Sequence, residues 1–165
     1  MRKLFRNIFL SILLSLFLSS TVSARDFARD LAVNRMYNPV TGEHLYTNDL
    51  NELFDLPNLG WRYEASAWLY DDQAGEPVYR LYNAILNDHL LTKNQNEIQA
   101  LVQNGWVMDF NGTPAFWSNG DVPIYRLYFP ATGRHLLTLY IDEYNILPQQ
   151  GWIQEGIAMY ATKGS

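Results

Sequence analysis

One phrase recurs three times in this chain, and no other feature constrains the fold as much. It reads "GEHLYT" at 42–47, "NDHLLT" at 87–92 and "GRHLLT" at 133–138. The protein has three histidines, and each lies in one copy of the phrase. The phrase belongs to a longer unit. The copies start at Val33, Val78 and Ile124, spacings of 45 and then 46 residues. Arg35, Arg80 and Arg126 keep these spacings, as do Tyr37, Tyr82 and Tyr128, and Thr47, Thr92 and Thr138. So do Glu52, Glu97 and Glu143, and Trp61, Trp106 and Trp152. Six residue types held in register through three copies mean one supersecondary unit repeated, with neighbours sharing a core that no single unit can bury.

Each unit can be read by period. "VYRLY" alternates, with β-branched and aromatic residues, and predicts a strand. "NPVTG" and "FPATG" predict a turn, and "HLLT" or "HLYT" the returning strand of a hairpin. In "NQNEIQALVQNG" the period changes to helical, with Asn as cap and Gly105 as stop. Pro57 and Pro148 cut the same segment in the other copies, so the helix there must be short. "GWRYE" and "GWIQE" predict a third strand; "SAWLY" and "IAMYA" predict a fourth. Copy two carries the insertion "FNGTP" at this point. Four strands per copy and three copies predict a mainly β, pseudo-threefold β-trefoil-like domain with a short helical segment in each repeat. A small propeller-like or α+β ring is the second arrangement. Propellers typically need at least four blades, which counts against a three-bladed one.

The N-terminus has a basic start (Arg2, Lys3, Arg6), an apolar run from Ile8 to Leu18 and a small-residue exit at Val22-Ser23-Ala24. That pattern predicts a secretory signal peptide over 1–24, removed on export to the periplasm or the medium. The alternative is an uncleaved anchor. Cleavage after Ala24 leaves residues 25–165 as a single domain of three repeats: 33–77, 78–123 and 124–165. It also removes three cations and takes the formal charge from −5 to −8. An acidic chain without a basic stripe is a poor partner for nucleic acid or anionic lipid, and no stable membrane insertion is expected after cleavage. The chain has no cysteine, so an exported form relies on packing rather than disulfides.

The unit "YRLYNxxTGxHLLT…GWxxEGIAMY" resembles a bacterial extracellular repeat family catalogued as a domain of unknown function. Its members recur in triplets and are often attached to secreted hydrolases. The resemblance covers Val33 to about Ala161. Copy two departs from it, with "NAILND" for the Thr-Gly turn and "DFNGTPAF" for the Glu-Gly-Ile-Ala segment. The resemblance implies attachment to cell surfaces or glycans by association and implies no chemistry.

The repeated residues admit both structural and binding readings. The tryptophans read as core. An arginine on strand one, with a glutamate 17 residues later in every copy, reads as a threefold structural Arg–Glu pair. The alternative is a site for an anionic group. Each histidine is either held structurally by a turn carbonyl, a ligand contact beside Tyr, or one of three converging zinc ligands. No serine recurs beside a histidine. There is no G-x-S-x-G, no H-E-x-x-H and no glycine-rich phosphate loop, so no enzyme is expected. Asp71-Asp72 read as a solvated turn. The expectation is therefore an exported non-catalytic module recognising carbohydrate or a cell-surface glycan. Its candidate ligand-binding residues are Tyr37, Asn38, His44, Tyr82, Asn83, His89, Tyr128 and His135, with no metal and no cofactor. Repeated weak sites suit such a module because they add avidity. The alternative from another class is an envelope structural or protein-interaction module without a small ligand.

Overall fold

The structure is a computed structural model and describes residues 32–70 and 75–164. The expected signal peptide, residues 1–24, and the Asp71-Asp72 pair lie outside the described residues.

Copy one runs β1 (Ala32–Asn38), β2 (Glu43–Thr47), α1 (Leu50–Asp55), a 3-10 turn and β3 (Arg62–Leu69). Copy two runs β4 (Glu76–Asn83), β5 (Asp88–Thr92), α2 (Gln95–Gln103), β6 (Val107–Met108) and β7 (Phe116–Ser118). Copy three runs β8 (Val122–Phe129), β9 (Arg134–Thr138), α3 (Ile141–Ile146), a 3-10 turn and β10 (Ile153–Ala161). A last short strand, β11 (Lys163–Gly164), pairs with β3 of copy one.

The architecture is mainly β, with three antiparallel sheets, one per copy. The third and fourth strands expected in each copy are one continuous strand in copies one and three. The pairings of β3 with β1 and of β10 with β8 pass through two register shifts each. These bulges turn the strand without ending it. In copy two the inserted segment does break the strand, and it lays the Phe110 ring over the Arg80 guanidinium, 4.5 Å from its centroid. Copies one and three thus carry three strands each, and copy two carries four because the insertion splits its third strand.

The turns and helix starts explain several repeated residues. Thr47, Thr92 and Thr138 end the second strands, and each Oγ1 accepts the backbone N–H two residues on. That bond turns the chain from strand into helix. Asp49 and Asn94 then cap α1 and α2. The helix is nine residues in copy two and six in the others, where Pro57 and Pro148 sit in the first positions of a 3-10 turn. Gly60, Gly105 and Gly151 follow at φ +89, +85 and +94, a left-handed stop that suits glycine. Among the described residues no helix is long and apolar enough to cross a membrane.

Residues directly opposite in each hairpin share a face. On one face lie Arg35 and Tyr46, and Tyr37 and His44; on the other lie Met36 and Leu45. The helix covers the second face: Leu53 packs with Met36 and Leu45, and Ile98 with Leu81 and Leu90. The first face looks toward the neighbouring copy. At the centre, β2, β5 and β9 pack on one another. The shared core takes Val33, Val78 and Ile124 from the first strands, and Tyr46, Leu91 and Leu137 from the second. Trp68, Phe116 and Met159 come from the third. Equivalent positions of all three copies thus fill one apolar cluster.

Candidate functional site

The repeated polar residues lie where one copy meets the next. Arg80 of copy two donates to both carboxylate oxygens of Glu52 in copy one, at 2.8 and 2.5 Å, and through Nε to Asp109 at 2.6 Å. Arg126 of copy three does the same to Glu97 of copy two, at 3.0 and 2.7 Å, and through Nε to Glu155 at 2.6 Å. Arg35 of copy one closes the cycle more loosely, with one bond of 3.4 Å to Glu143 of copy three and Nε 2.7 Å from Glu64. The expected threefold Arg–Glu pair therefore exists, and every pair crosses between copies. Planar forks suit this geometry because two parallel N–H bonds fix orientation as well as charge.

Burial and partners oppose each other in the titration of these groups. Burial alone would raise the Glu52 and Glu97 carboxyls, yet the bonds from Arg80 and Arg126 hold both below the ordinary value. Burial likewise works against the charge of all three arginines; carboxylates more than offset it at Arg80 and Arg126, and Tyr46 followed by Glu143 and Glu64 does so at Arg35.

The histidines follow the same cyclic rule through the residue before them. Glu43, Asp88 and Arg134 precede His44, His89 and His135, and all three are buried. Glu43 Oε1 of copy one lies 2.5 Å from His89 Nδ1 of copy two. Asp88 Oδ2 of copy two lies 3.4 Å from His135 Nδ1 of copy three. The third joint has Arg134 where the others have an acid. There His44 Nδ1 and Arg134 Nε, both buried, have no hydrogen-bond partner among the described residues. Burial, then Arg35 and Arg134, push the His44 imidazole down to about 4.

Each histidine also lies against the tyrosine opposite it. Ring centroids are 5.0 Å apart for Tyr37–His44, 4.5 Å for Tyr82–His89 and 5.0 Å for Tyr128–His135. The six rings expected as ligand contacts thus come together as three pairs, one per joint. Where the structure shows a polar partner for Nδ1, it is a carboxylate of the preceding copy rather than a turn carbonyl. Among the described residues no group of three His, Cys, Asp or Glu could hold a metal ion.

Asn38 and Asn83 lie apart from the rings, on the opposite face of the hairpin. Each Oδ1 accepts two backbone N–H groups of its own turn, from Val40 and Thr41, and from Ile85 and Leu86. Copy two keeps the turn without glycine because Asn87 takes the left-handed position at φ +49, which asparagine tolerates better than most residues. Trp106 is buried under α2, Trp61 packs beside α1, and Trp152 stacks on Phe129 at 5.1 Å.

Sequence reasoning missed Glu43, Asp88 and Arg134, and the strand-three acids Glu64, Asp109 and Glu155. Both sets left a signal: a charge before each histidine, and an acid three residues after each repeated tryptophan.

One crevice opens between copies one and three. It is small, with a cavity volume of about 20 Å³, and is bordered by Arg35, Ser66, Trp68, Thr138 and Tyr140. Tyr140 is 58 % exposed. The Trp68 indole Nε1 is buried without a hydrogen-bond partner among the described residues. Copies two and three have Phe116 and Met159 at the place of Trp68, so the indole donor is peculiar to this side of the cycle.

Residues 32–162 match a family described as a domain of unknown function, DUF5648. The chain belongs to this family. No curated protein and no solved structure matches it. The DUF5648 match spans all three copies, so it includes every joint and the crevice.

Proposed function

We propose that this DUF5648 chain is an exported, non-catalytic binding module that recognises carbohydrate or a cell-surface glycan. The observation that carries the reading is the crevice between copies one and three. Its lining includes the exposed Tyr140 ring, the Arg35 guanidinium and the buried Trp68. Aromatic faces stack on sugar C–H surfaces, while N–H donors suit ring hydroxyls. The half-buried Tyr37–His44, Tyr82–His89 and Tyr128–His135 pairs are the further contacts in this reading, with Asn38 and Asn83 holding the turns beside them. At two of the three joints the arginine, the histidine and their carboxylates are committed to one another, which fits a fixed scaffold better than turnover. Three cyclic copies supply the rigid platform that places such contacts.

The test is a glycan array on the mature protein, followed by Tyr140→Ala on any hit. Loss of binding with an unchanged melting temperature supports the crevice. Full retention of binding moves the site to the Tyr–His pairs. An array without hits favours the second reading, an envelope protein-interaction module. Exposed apolar residues at the hairpin tips, Val40 at 91 % and Ile85 at 96 %, speak for that reading.

A further inference from the structure

The three joints obey one rule twice and break it once. In two joints a carboxylate of one copy faces Nδ1 of the next copy's histidine. In the third, a guanidinium stands in the carboxylate's place, and a buried N–H and a buried ring nitrogen are both left unpartnered among the described residues. A buried polar group without a hydrogen bond is costly, so two such groups at one joint are a strong demand for a third body.

We propose that the third joint binds a small monovalent anion, of the chloride or formate class, between Arg134 Nε and His44 Nδ1. The anion takes the position that a carboxylate oxygen occupies at the other two joints. Arg134 Nε–H is a permanent donor, and His44 Nδ1–H becomes the second when the ring carries a proton there. The charges around the site are these. Arg35 on β1 and Arg134 on β9 are the cations that also depress His44. Glu64 on β3 lies 3.7 Å from His44 Nε2, on the far side of the ring. Asp88 on β5 shares the Nη1 end of Arg134 at 3.5 Å, with the Asn87 carbonyl at 2.8 Å. Glu143 on α3 is engaged by Arg35. Nε of Arg134 is thus the guanidinium edge that no acid covers. A single neutral ring cannot donate from both nitrogens, so anion binding and protonation of His44 promote each other.

The rival occupant is a water, which could accept from Arg134 Nε and donate to a neutral His44. The two separate in solution. Ring NMR of the three histidines is followed against pH in sodium chloride and in sodium methanesulfonate at equal ionic strength. The expected result is a higher His44 midpoint in chloride, by about one pH unit for each tenfold preference of the anion for the protonated form. His89 and His135, which already face carboxylates, serve as controls and should not move. Crystals grown in sodium bromide should then show an anomalous peak within hydrogen-bond distance of both nitrogens, absent in His44→Gln. Equal His44 midpoints in the two salts would overturn the proposal and leave a bridging water. So would wild-type bromide crystals without the peak.

Discussion

Arg80 grips Glu52 through both terminal nitrogens although the two residues belong to different copies, and its side chain is only 4 % exposed. A buried fork of this kind is a latch between repeats. Removing one partner strands the other charge in a poorly solvated place.

Replacing Glu52 with Gln should therefore destabilise the protein, by less than the about 3–5 kcal/mol of a fully stranded charge because Asp109 still accepts from Arg80 Nε. The corresponding change at Glu143 should cost far less, because Arg35 reaches it by one bond of 3.4 Å and is more exposed. Urea unfolding of Glu52→Gln and Glu143→Gln measures the difference. Equal costs would mean that the cycle is uniformly tight.

These latches were half legible in the sequence. The spacing of 17 residues between Arg and Glu recurs in every copy, so a repeated pair could be read. Which copy supplies the glutamate could not, because the same spacing serves a pair within a copy and a pair across copies. The strands show a similar limit. "VYRLY" and "HLLT", joined by a turn signal, were readable as a hairpin. The continuous strand β10 passes Gly156 at φ +90 and shifts register twice, so its alternation breaks and it reads as two strands. The crevice was not legible at all. Its residues come from β1, β3, β9 and the start of α3, brought together only by closure of the cycle.

Acid should act on the fold in two windows. His44 is held at about 4 in the folded protein and titrates near 6.5 when unfolded. Between these values the unfolded chain binds the extra proton, so stability falls as pH drops from about 6.5 to 4, by about 3 kcal/mol if nothing binds the folded ring. Glu52 and Glu97 have depressed folded values, so their contribution is present above the unfolded value near 4.5 and is lost as pH falls below it. Thermal melts in methanesulfonate buffers should show the first decline in wild type and a flatter profile in His44→Gln. A His44→Gln profile superimposable on wild type between pH 6.5 and 4 would assign the decline to other groups.

Closure of the cycle should depend on Gly120. Its φ is +86, and a Cβ there would sit 2.3 Å from the Ala161 carbonyl oxygen, which is backbone and cannot swing aside. The next contact, Asn119 N–H to the Tyr160 carbonyl at 3.2 Å, ties the end of copy two to the end of copy three. Gly120→Ala should cost several kcal/mol, because it combines a left-handed strain with a forced separation of two backbones. Gly42→Ala has a similar φ of +75 and open space around it, so it should cost only the conformational strain. Comparing the two melts isolates the clash.

The three histidines should differ in what they contribute, despite occupying one phrase. His89→Ala leaves the Glu43 carboxylate, 1 % exposed, without its 2.5 Å partner. That is an uncompensated buried acid, so the cost should be the largest of the three, at least about 1–3 kcal/mol. His135→Ala leaves Asp88 with the Arg134 guanidinium still 3.5 Å away, so part of its charge remains answered and the cost should be smaller. His44→Ala removes a ring whose Nδ1 has no protein partner among the described residues, and it relieves the crowding of Arg35 and Arg134 on that ring. It should be the mildest change, set mainly by lost packing against Tyr37. Differential scanning calorimetry of the three single variants gives the order directly. The expected ranking is His89, then His135, then His44. A reversed ranking would detach the recurrence of the phrase from the joints and return it to the ligand.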